Sequence, residues 1–250
     1  MFKISINAGH GYKTAGKRCL RTIDPNETKE YILNKRVCDI LCLLLCKYEG
    51  ITIQRIDNGE DESISQRAKH ANNFGADFYL SIHHNAGACG SNAGGVECYC
   101  YTKVNNKTKK WQKELYDCVI KETKNKGNRA EPLRYKDLGE LRETKMPAVL
   151  IECGYMDSVI DTPKILTNEY ATQVAVGCLN AIVKMTGIKL KGTAVKPSNN
   201  VKKKTDYEIA LEVIQGKYGN GNARKINLQN IGRDYKTIQN LVNQILGAKK

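Results

Sequence analysis

Two histidines and two glutamates lie where the apolar pattern of the chain predicts that a strand ends or a helix begins. His10 follows an apolar strand and His83 ends another, while Glu152 ends the apolar run AVLIE. Glu30 opens a long predicted helix. In open α/β sheets, ligands bind beyond the carboxyl ends of the strands. Two imidazoles and a carboxylate form a zinc site with an open position, and a second carboxylate can act as base.

Each of these residues also has a purely structural interpretation. A histidine at the end of a strand commonly makes a structural hydrogen bond, and a glutamate at the start of a helix often acts as a cap. Glu152 is harder to explain in this way, because a carboxylate in an apolar strand is costly unless it is paired or bound to metal. Glu152 is therefore a functional candidate in its own right.

The elements that must position these residues alternate between strands and helices. Apolar runs and helical spacing predict strands at 2–8, 51–56, 77–83, 94–101 and 148–153, and helices at 30–45, 63–73, 109–126 and 170–185. This alternation predicts an α/β fold with a central, mostly parallel sheet flanked by helices.

The chain divides into three predicted regions. Residues 1–187 carry the α/β pattern, and residues 188–205 predict a linker rich in Lys, Pro, Ser and Asn. Residues 206–250 contain three short amphipathic segments, which predict a small three-helix module. No stretch is long enough to span a membrane, and the N-terminus lacks the features of a secretory signal. We therefore expect synthesis in the cytoplasm without a signal peptide.

The charge indicates a class of partner, and the distribution of the cysteines indicates their oxidation state. The 40 Lys and Arg residues against 26 Asp and Glu give a net charge of +14, which favours an acidic polymer as partner. The ten cysteines are scattered through periodic segments, which predicts that they are reduced and buried. Cys98 and Cys100 share one face of a predicted strand without a CxxC pair, so they do not predict a thiolate metal site.

Four sequence blocks carry a resemblance to a known family. NAGHGYKTAG, KEYILNKRV, RAKHANNFGADFYLSIHHNAG and LRETKMPAVLIECGYM follow one another over roughly residues 1–187. In order and spacing they resemble the signature blocks of the zinc-dependent N-acetylmuramoyl-L-alanine amidases of the amidase-3 type, which cleave peptidoglycan. The resemblance implies one zinc ion per catalytic domain. It also implies cleavage of the amide bond between N-acetylmuramic acid and the L-alanine of the stem peptide.

The resemblance also implies roles for individual residues. It makes His10, Glu30 and His83 the zinc ligands and Glu152 the catalytic carboxylate. Glu152 would then relay a proton from the attacking water to the leaving amine of L-alanine. Arg142, in the block LRETKMP, is a candidate for holding a substrate carboxylate, and a solvated arginine is the alternative interpretation.

Two neighbouring residues compete with these assignments. Glu27 is an alternative to Glu30, which we prefer because the family's ligand precedes an asparagine by four residues, where Asn34 stands. His84 follows His83 directly, and successive side chains of a strand point to opposite faces. We therefore expect one histidine to bind metal and His84 to pack or line the cleft.

The C-terminal segment has a resemblance of its own. Its core, GKYGNGN, resembles the choline-independent cell-wall-binding repeats at the C-terminus of some phage lysozymes. This implies a module that binds peptidoglycan and tethers the catalytic domain, and its basic character suits anionic wall polymers. We expect a phage endolysin that acts at the bacterial cell wall after its release. A bacterial autolysin or mother-cell lysis amidase is the alternative.

Other functions fit the sequence less well. A zinc peptidase is disfavoured because HExxH is absent, and a zinc deaminase because HxE and PCxxC are absent. The charge of +14 motivates a basic nucleic-acid-binding protein without catalysis. However, no nucleic-acid motif is recognisable, and one Trp and three Phe offer little base stacking beyond the 13 Tyr. We expect no nucleic-acid partner.

Overall fold

The computed structural model describes residues 1–191, 204–214, 217–219 and 221–245. The chain divides into two compact units, Met1–Lys191 and Gly192–Lys250. The strands of the first unit are β1 (Phe2–Ala8), β2 (Tyr48–Glu49), β3 (Ile51–Arg55), β4 (Phe78–Asn85), β5 (Glu97–Cys100), β6 (Leu133–Tyr135), β7 (Ala148–Tyr155) and β8 (Lys189–Leu190). Its helices are α1 (Glu30–Leu45), α2 (Ile64–Phe74), α3 (Asn106–Thr123), α4 (Gly139–Arg142), α5 (Thr162–Ile165) and α6 (Asn168–Thr186).

Six of these strands form one sheet in the order β3-β1-β4-β7-β5-β6. Strand β5 runs antiparallel to β7, and the other neighbouring strands are parallel. The predicted α/β fold with a mostly parallel sheet is therefore confirmed. Strands β1, β4 and β7 lie side by side at the centre, so their carboxyl ends meet at one edge of the sheet.

One face of the sheet is apolar and carries the main core. Helices α1, α3 and α6 pack there, and the ring of Trp111 stacks on that of Phe78 with centroids 3.9 Å apart. Both rings are almost completely buried. Burying a large apolar side chain stabilises a fold by about 1.5–3 kcal/mol. Apolar burial on this face therefore helps to hold the strand ends in place.

The opposite face is unusually polar for a buried sheet. Residues paired in register share a face, and this one carries Asn7, Ser81, His83, Glu152, Glu97, Tyr99 and Arg134. Helices α2 and α4 pack on this side, where they contact β1 and β7 respectively. Helix α2 has a well-defined start, because Ser63 and Gln66 form a capping box.

Several local predictions differ from the structure. Strand β4 extends through His84 to Asn85, with a shift of register after His83. Lys189 and Leu190, which the sequence placed in the linker, form β8 and pair antiparallel with β2. Residues 192–203 of the predicted linker lie outside the described residues. Elements as short as β2, β6, β8, α4 and α5 contain too few residues for a periodic pattern, so the sequence did not reveal them.

The cysteines fit the expectation of burial only in part. All ten are free, and six are buried. Cys42 and Cys118 are partly exposed, whereas Cys46 and Cys89 are exposed. The prediction of burial is therefore wrong for Cys46, which follows the last turn of α1, and for Cys89, which lies in the loop after β4.

In the described part of the second unit there are three helices, α7 (Asp206–Ile214), α8 (Gly221–Asn230) and α9 (Tyr235–Ile245). Its buried apolar side chains include Ile209, Val213, Leu228, Ile238 and Val242. The predicted small helical module is thus confirmed. None of the helices in the described ranges has both the length and the apolar character needed to cross a bilayer.

Candidate active site

Three residues from separate parts of the chain meet at the carboxyl edge of the sheet. His10 Nε2 lies 3.1 Å from Glu30 Oε2, and His83 Nδ1 lies 3.0 Å from Glu30 Oε1. One ligand atom from each residue lies within 4.8 Å of the others. A tetrahedral ion with ligand bonds of about 2.1 Å separates its ligands by about 3.4 Å, which falls within this bound. The donor set therefore suits a metal ion.

Local backbone geometry brings these three side chains together. Glu30 is the first residue of α1, where its backbone N–H donates to Lys17 O over 2.9 Å, and its side chain is buried. His10 adopts a left-handed backbone with φ of 65°, which turns the chain sharply after β1. Gly9 is required because a Cβ there would lie 2.0 Å from Cε1 of His83. The Gly-rich loop thus lets the His83 ring lie directly against backbone.

Glu152 lies beside this group on β7, directly opposite both His83 and Glu97 in the strand register. Its Oε2 is buried and has no hydrogen-bond partner among the described residues. Burial raises the pKa of Glu152 to about 8, with Glu30 and Glu97 adding to the shift and His83 opposing it. A carboxylate with this pKa can both accept and donate a proton near neutral pH.

A cavity of about 300 Å³ connects these groups. His10, Glu30, His83, Glu152 and Lys17 line it. Three candidate ligands and the Glu152 carboxylate therefore face one common space, as a hydrolytic centre requires.

Comparison with known proteins decides the family. Residues 4–184 match the N-acetylmuramoyl-L-alanine amidase family, and residues 207–246 match the CW_7 repeat. The chain belongs to the N-acetylmuramoyl-L-alanine amidase family. A similar relative is the sporulation-specific N-acetylmuramoyl-L-alanine amidase of Bacillus subtilis, with 31% identity over 199 residues, covering 76% of this chain and 70% of the relative.

Two further comparisons extend this result. The endolysin of Bacillus phage SPP1 is 30% identical over 200 residues, covering 79% of this chain and 70% of the endolysin. The crystal structure of N-acetylmuramoyl-L-alanine amidase from Clostridium difficile 630 is similar with a TM-score of 0.67 and 27% identity, covering 73% and 95% of the two chains. The family predicted from the four sequence blocks is confirmed, and with it peptidoglycan hydrolysis as the activity of the protein.

In this amidase a second buried carboxylate, Glu140 on α4, faces the other side of the His83 ring. Glu140 Oε2 lies 3.6 Å from His83 Nε2. Its Oε1 accepts hydrogen bonds from Asn7 Nδ2 over 2.6 Å, from Ser81 Oγ over 2.9 Å and from the Tyr79 hydroxyl. The carboxylate is therefore held in one orientation, with its free oxygen towards His83.

The carboxylates of Glu140 and Glu30 control the charge of the His83 imidazole, which lies between them. Burial opposes the charged form of His83, but the adjacent Glu140 and Glu30 carboxylates outweigh it and raise its pKa to about 10. Burial likewise opposes ionisation of Glu140 and Glu30, yet their hydrogen bonds lower both pKa values, that of Glu140 to about 2. A positive charge at this point, whether a proton or a metal ion, is thus strongly favoured.

Sequence reasoning did not identify Glu140. It lies in a helix of four residues, which shows no periodic pattern, and its partners come from strands far away in the sequence. The only available signal was a second acidic residue close to the block LRETKMP.

His84 packs beside the group formed by His10, Glu30 and His83 without joining it. Asn34 Nδ2 donates to Gly9 O over 3.1 Å and to Glu30 Oε1 over 3.3 Å, so Asn34 Oδ1 is left as an acceptor. His84 Nδ1 lies 2.8 Å from that oxygen and donates to it. Burial lowers the pKa of His84 to about 3, so its ring is neutral. His84 therefore orients Asn34, which in turn orients Glu30.

Two sequence candidates lie away from the centre. Glu27 lies outside the group formed by His10, Glu30 and His83. Arg142 makes ion pairs with Asp137 and, over 3.7 Å, with Glu143, and it lines a separate cavity. The structure does not bring Arg142 into the cleft, because α4 directs Glu140 towards the sheet and Arg142 away from it.

Proposed function

We propose that the protein is a zinc-dependent N-acetylmuramoyl-L-alanine amidase in which His10, Glu30 and His83 hold the ion and Glu152 transfers protons. The observation that carries this proposal is the convergence of one ligand atom from each of these three residues within 4.8 Å. Next to them lies a carboxylate oxygen of Glu152 that has no hydrogen-bond partner in the described parts of the chain. Two imidazoles and one carboxylate are a donor set typical of catalytic zinc. Family membership supports the same ion.

The chemistry requires a nucleophile, an electrophile and a proton shuttle. A zinc ion in this site would lower the pKa of a water molecule and polarise the scissile carbonyl. Glu152 accepts the proton of the attacking water as its oxygen bonds to the carbonyl carbon of the lactyl group. Glu152 then donates the proton to the nitrogen of L-alanine as the C–N bond breaks. The products are a free carboxylate on N-acetylmuramic acid and a free amino-terminal L-alanine.

Glu140 and His84 keep this arrangement fixed. Glu140 faces Nε2 of His83, so it favours a proton on that nitrogen and leaves Nδ1, on the side of Glu30, as the nitrogen that would hold the ion. His84 orients Asn34, and the Asn34 amide donates to Glu30. Both contacts act through a ligand and not on the substrate, so Glu140 and His84 are positioning residues.

The C-terminal module would hold the enzyme on its substrate. We infer a catalytic domain at 1–187, a linker at 188–205 whose first residues are taken up by β8, and a wall-binding module at 206–250. The match to the CW_7 repeat supports peptidoglycan as the ligand of the module. The net charge of +14 favours additional attraction to anionic wall polymers. Tethering raises the effective concentration of the catalytic domain at the wall.

The biological role that we propose is host lysis by a phage endolysin acting at the bacterial cell wall. The similarity to the SPP1 endolysin supports this role. The similarity to the sporulation-specific amidase of Bacillus subtilis favours a second candidate, a bacterial amidase that acts on its own cell wall.

Product analysis of digested peptidoglycan tests the proposal. The wild-type protein should release amino-terminal L-alanine without new reducing sugar ends. Chelator treatment should abolish this release and zinc should restore it, whereas Glu152→Ala should remain inactive although it still binds zinc. New reducing ends would instead identify a glycosidase, and new amino groups on other residues would identify a peptidase.

A further inference from the structure

Two arginines beside the cleft have guanidinium groups whose N–H donors the protein does not use. Arg129 precedes β6, Arg134 lies within it, and their side chains are 34% and 44% exposed. Within the part of the chain that the structure describes, neither guanidinium donates a hydrogen bond. Arg67 is different: it donates to Asn7 Oδ1 over 2.6 Å and to His10 O over 2.7 Å.

Both guanidinium groups are nevertheless held in place. Arg129 Nε lies 3.5 Å and Arg134 Nη1 3.6 Å from the same oxygen, Oε1 of the fully buried Glu97. Arg129 also lies over the ring of Tyr155, with its Cζ 5.3 Å from the centroid, and Arg134 over that of Tyr99, at 5.9 Å. Cation–π contacts of this kind orient a guanidinium while its edge stays free.

Glu97 is fixed as firmly as the arginines are. Its Oε2 accepts hydrogen bonds from Asn85 Nδ2 over 2.8 Å and from the hydroxyls of Tyr99 and Tyr155 over 3.0 and 2.9 Å. Among the described residues its Oε1 has no hydrogen-bond partner, and it attracts both arginines by charge alone. Because two guanidinium groups face one carboxylate, an excess of one positive charge remains at this point.

The strand register places this charge next to the catalytic carboxylate. Glu97 lies opposite Glu152, and Arg134 lies opposite Tyr99, so all four share the polar face of the sheet. Neighbouring strands lie about 4.8 Å apart, so the guanidinium groups are about one to two strand spacings from Glu152. A peptide extends about 3.5 Å per residue, so the second stem residue reaches about 7 Å beyond the scissile amide.

We propose that Arg129 and Arg134 together bind the free α-carboxylate of the second residue of the stem peptide, the D-glutamate joined through its γ-carboxyl. This inference rests on the proposed amidase function. The planar guanidinium fork matches a carboxylate, and two such forks with unused donors form an anion-binding site. The enzyme therefore prefers walls in which this α-carboxylate is free over walls in which it is amidated.

The test compares two preparations of purified peptidoglycan from one bacterium that differ only in amidation of this α-carboxyl group. Initial rates of L-alanine amino-terminus release are measured at low wall concentration for the wild type, Arg129→Gln, Arg134→Gln and the double variant. Arg129→Lys and Arg134→Lys keep the charge towards Glu97 but lack the planar fork. Lys109→Gln is the matched control, because Lys109 Nζ lies 5.7 Å from the ring centroid of Tyr135 on the same strand. Thermal melting confirms that each variant is folded.

The expected result is a preference of the wild type for the free-carboxylate wall of about tenfold or more, which is the usual effect of hydrogen bonds to a charged group. The Gln variants should lose this preference by slowing only on the free-carboxylate wall, the Lys variants should lose part of it, and Lys109→Gln should keep it. Equal wild-type rates on both walls, or equal slowing of the variants on both, would overturn the inference and leave the amidase function standing. If neither wall releases L-alanine, the proposed function itself is wrong.

Discussion

Replacing Gly9 by alanine should disable the proposed metal site although none of its ligands is substituted. The added Cβ would lie 2.0, 2.1 and 2.5 Å from Cε1, Nε2 and Nδ1 of His83, all in the ring. Carbon atoms in contact normally stay about 3.5–4.0 Å apart, so the ring or the loop must move by about 1.5 Å. A displacement of about 1 Å at a catalytic group can cost about 100-fold in rate.

We therefore expect Gly9→Ala to lower the rate of L-alanine release by at least about 100-fold. The variant should also lose about 1–3 kcal/mol in free energy of unfolding, the usual cost of overpacking. Zinc affinity, measured by competition with a chromogenic chelator, should fall in parallel, because His83 Nδ1 no longer faces Glu30. Urea unfolding of the metal-free protein measures the stability separately from the ion.

The control is Gly187→Ala at the end of α6. Gly187 has a left-handed φ of 71° with open space around it, so this change costs about 1 kcal/mol of stability without moving His83. Its activity should stay at the wild-type level. In a His83→Ala background the clash is absent, so Gly9→Ala should no longer destabilise the metal-free protein. Wild-type activity and zinc affinity in Gly9→Ala would refute this reasoning, as would an equal stability loss in both backgrounds.

Three further predictions concern the same centre. Glu140→Gln removes the negative charge beside His83 Nε2, so zinc affinity should fall about 10- to 100-fold in chelator competition. The control Glu143→Gln should leave zinc affinity unchanged. Equal affinity in the two variants would contradict the positioning role of Glu140. In the metal-free protein the pKa of Glu152 is raised from 4.5 to about 8. Between these pH values the folded state keeps a proton that the unfolded chain has released, so the free energy of unfolding falls as the pH rises. The melting temperature of Glu152→Gln should therefore rise relative to that of the wild type between pH 5 and pH 8. A difference in melting temperature that stays constant over this range would rule out the raised pKa of Glu152. Zinc should raise the melting temperature of the wild type but not of His10→Ala, since only a folded site with all its ligands binds the ion tightly; an equal rise in both would argue against His10 as a ligand.

The sequence allowed the position of the proposed catalytic centre to be predicted because that position follows from topology. The carboxyl ends of parallel strands lie at one edge of the sheet. The α/β pattern therefore predicted that His10, His83 and Glu152 lie at the same edge. Strand alternation likewise separated His83 from His84. These inferences require only the order of elements and the side-chain period, both of which can be read from apolar residues.

Contacts that depend on tertiary packing were not visible in the sequence. Glu140 reaches His83 only because α4 packs against α2 and β7, and α4 is too short to show a helical period. Arg142 was a candidate for binding a substrate carboxylate, with a solvated arginine as the alternative, and the same short helix turns it towards Asp137. Arg129 and Arg134 gave no signal at all, since their common partner Glu97 lies on another strand more than thirty residues earlier.

The two halves of the polar face of the sheet have different proposed roles, metal binding and substrate binding. On the half formed by β1 and β4, the α4 residue Glu140 accepts hydrogen bonds from Asn7 and Ser81 and forms an ion pair with His83, a buried arrangement that suits a metal site that must stay rigid. On the half formed by β5 and β6, Arg129 and Arg134 keep their donors free, which suits a surface that receives a ligand. Glu152, on β7, lies at the boundary between the halves. Substitutions on the first half should therefore change zinc affinity, whereas those on the second half should change which peptidoglycan is cleaved.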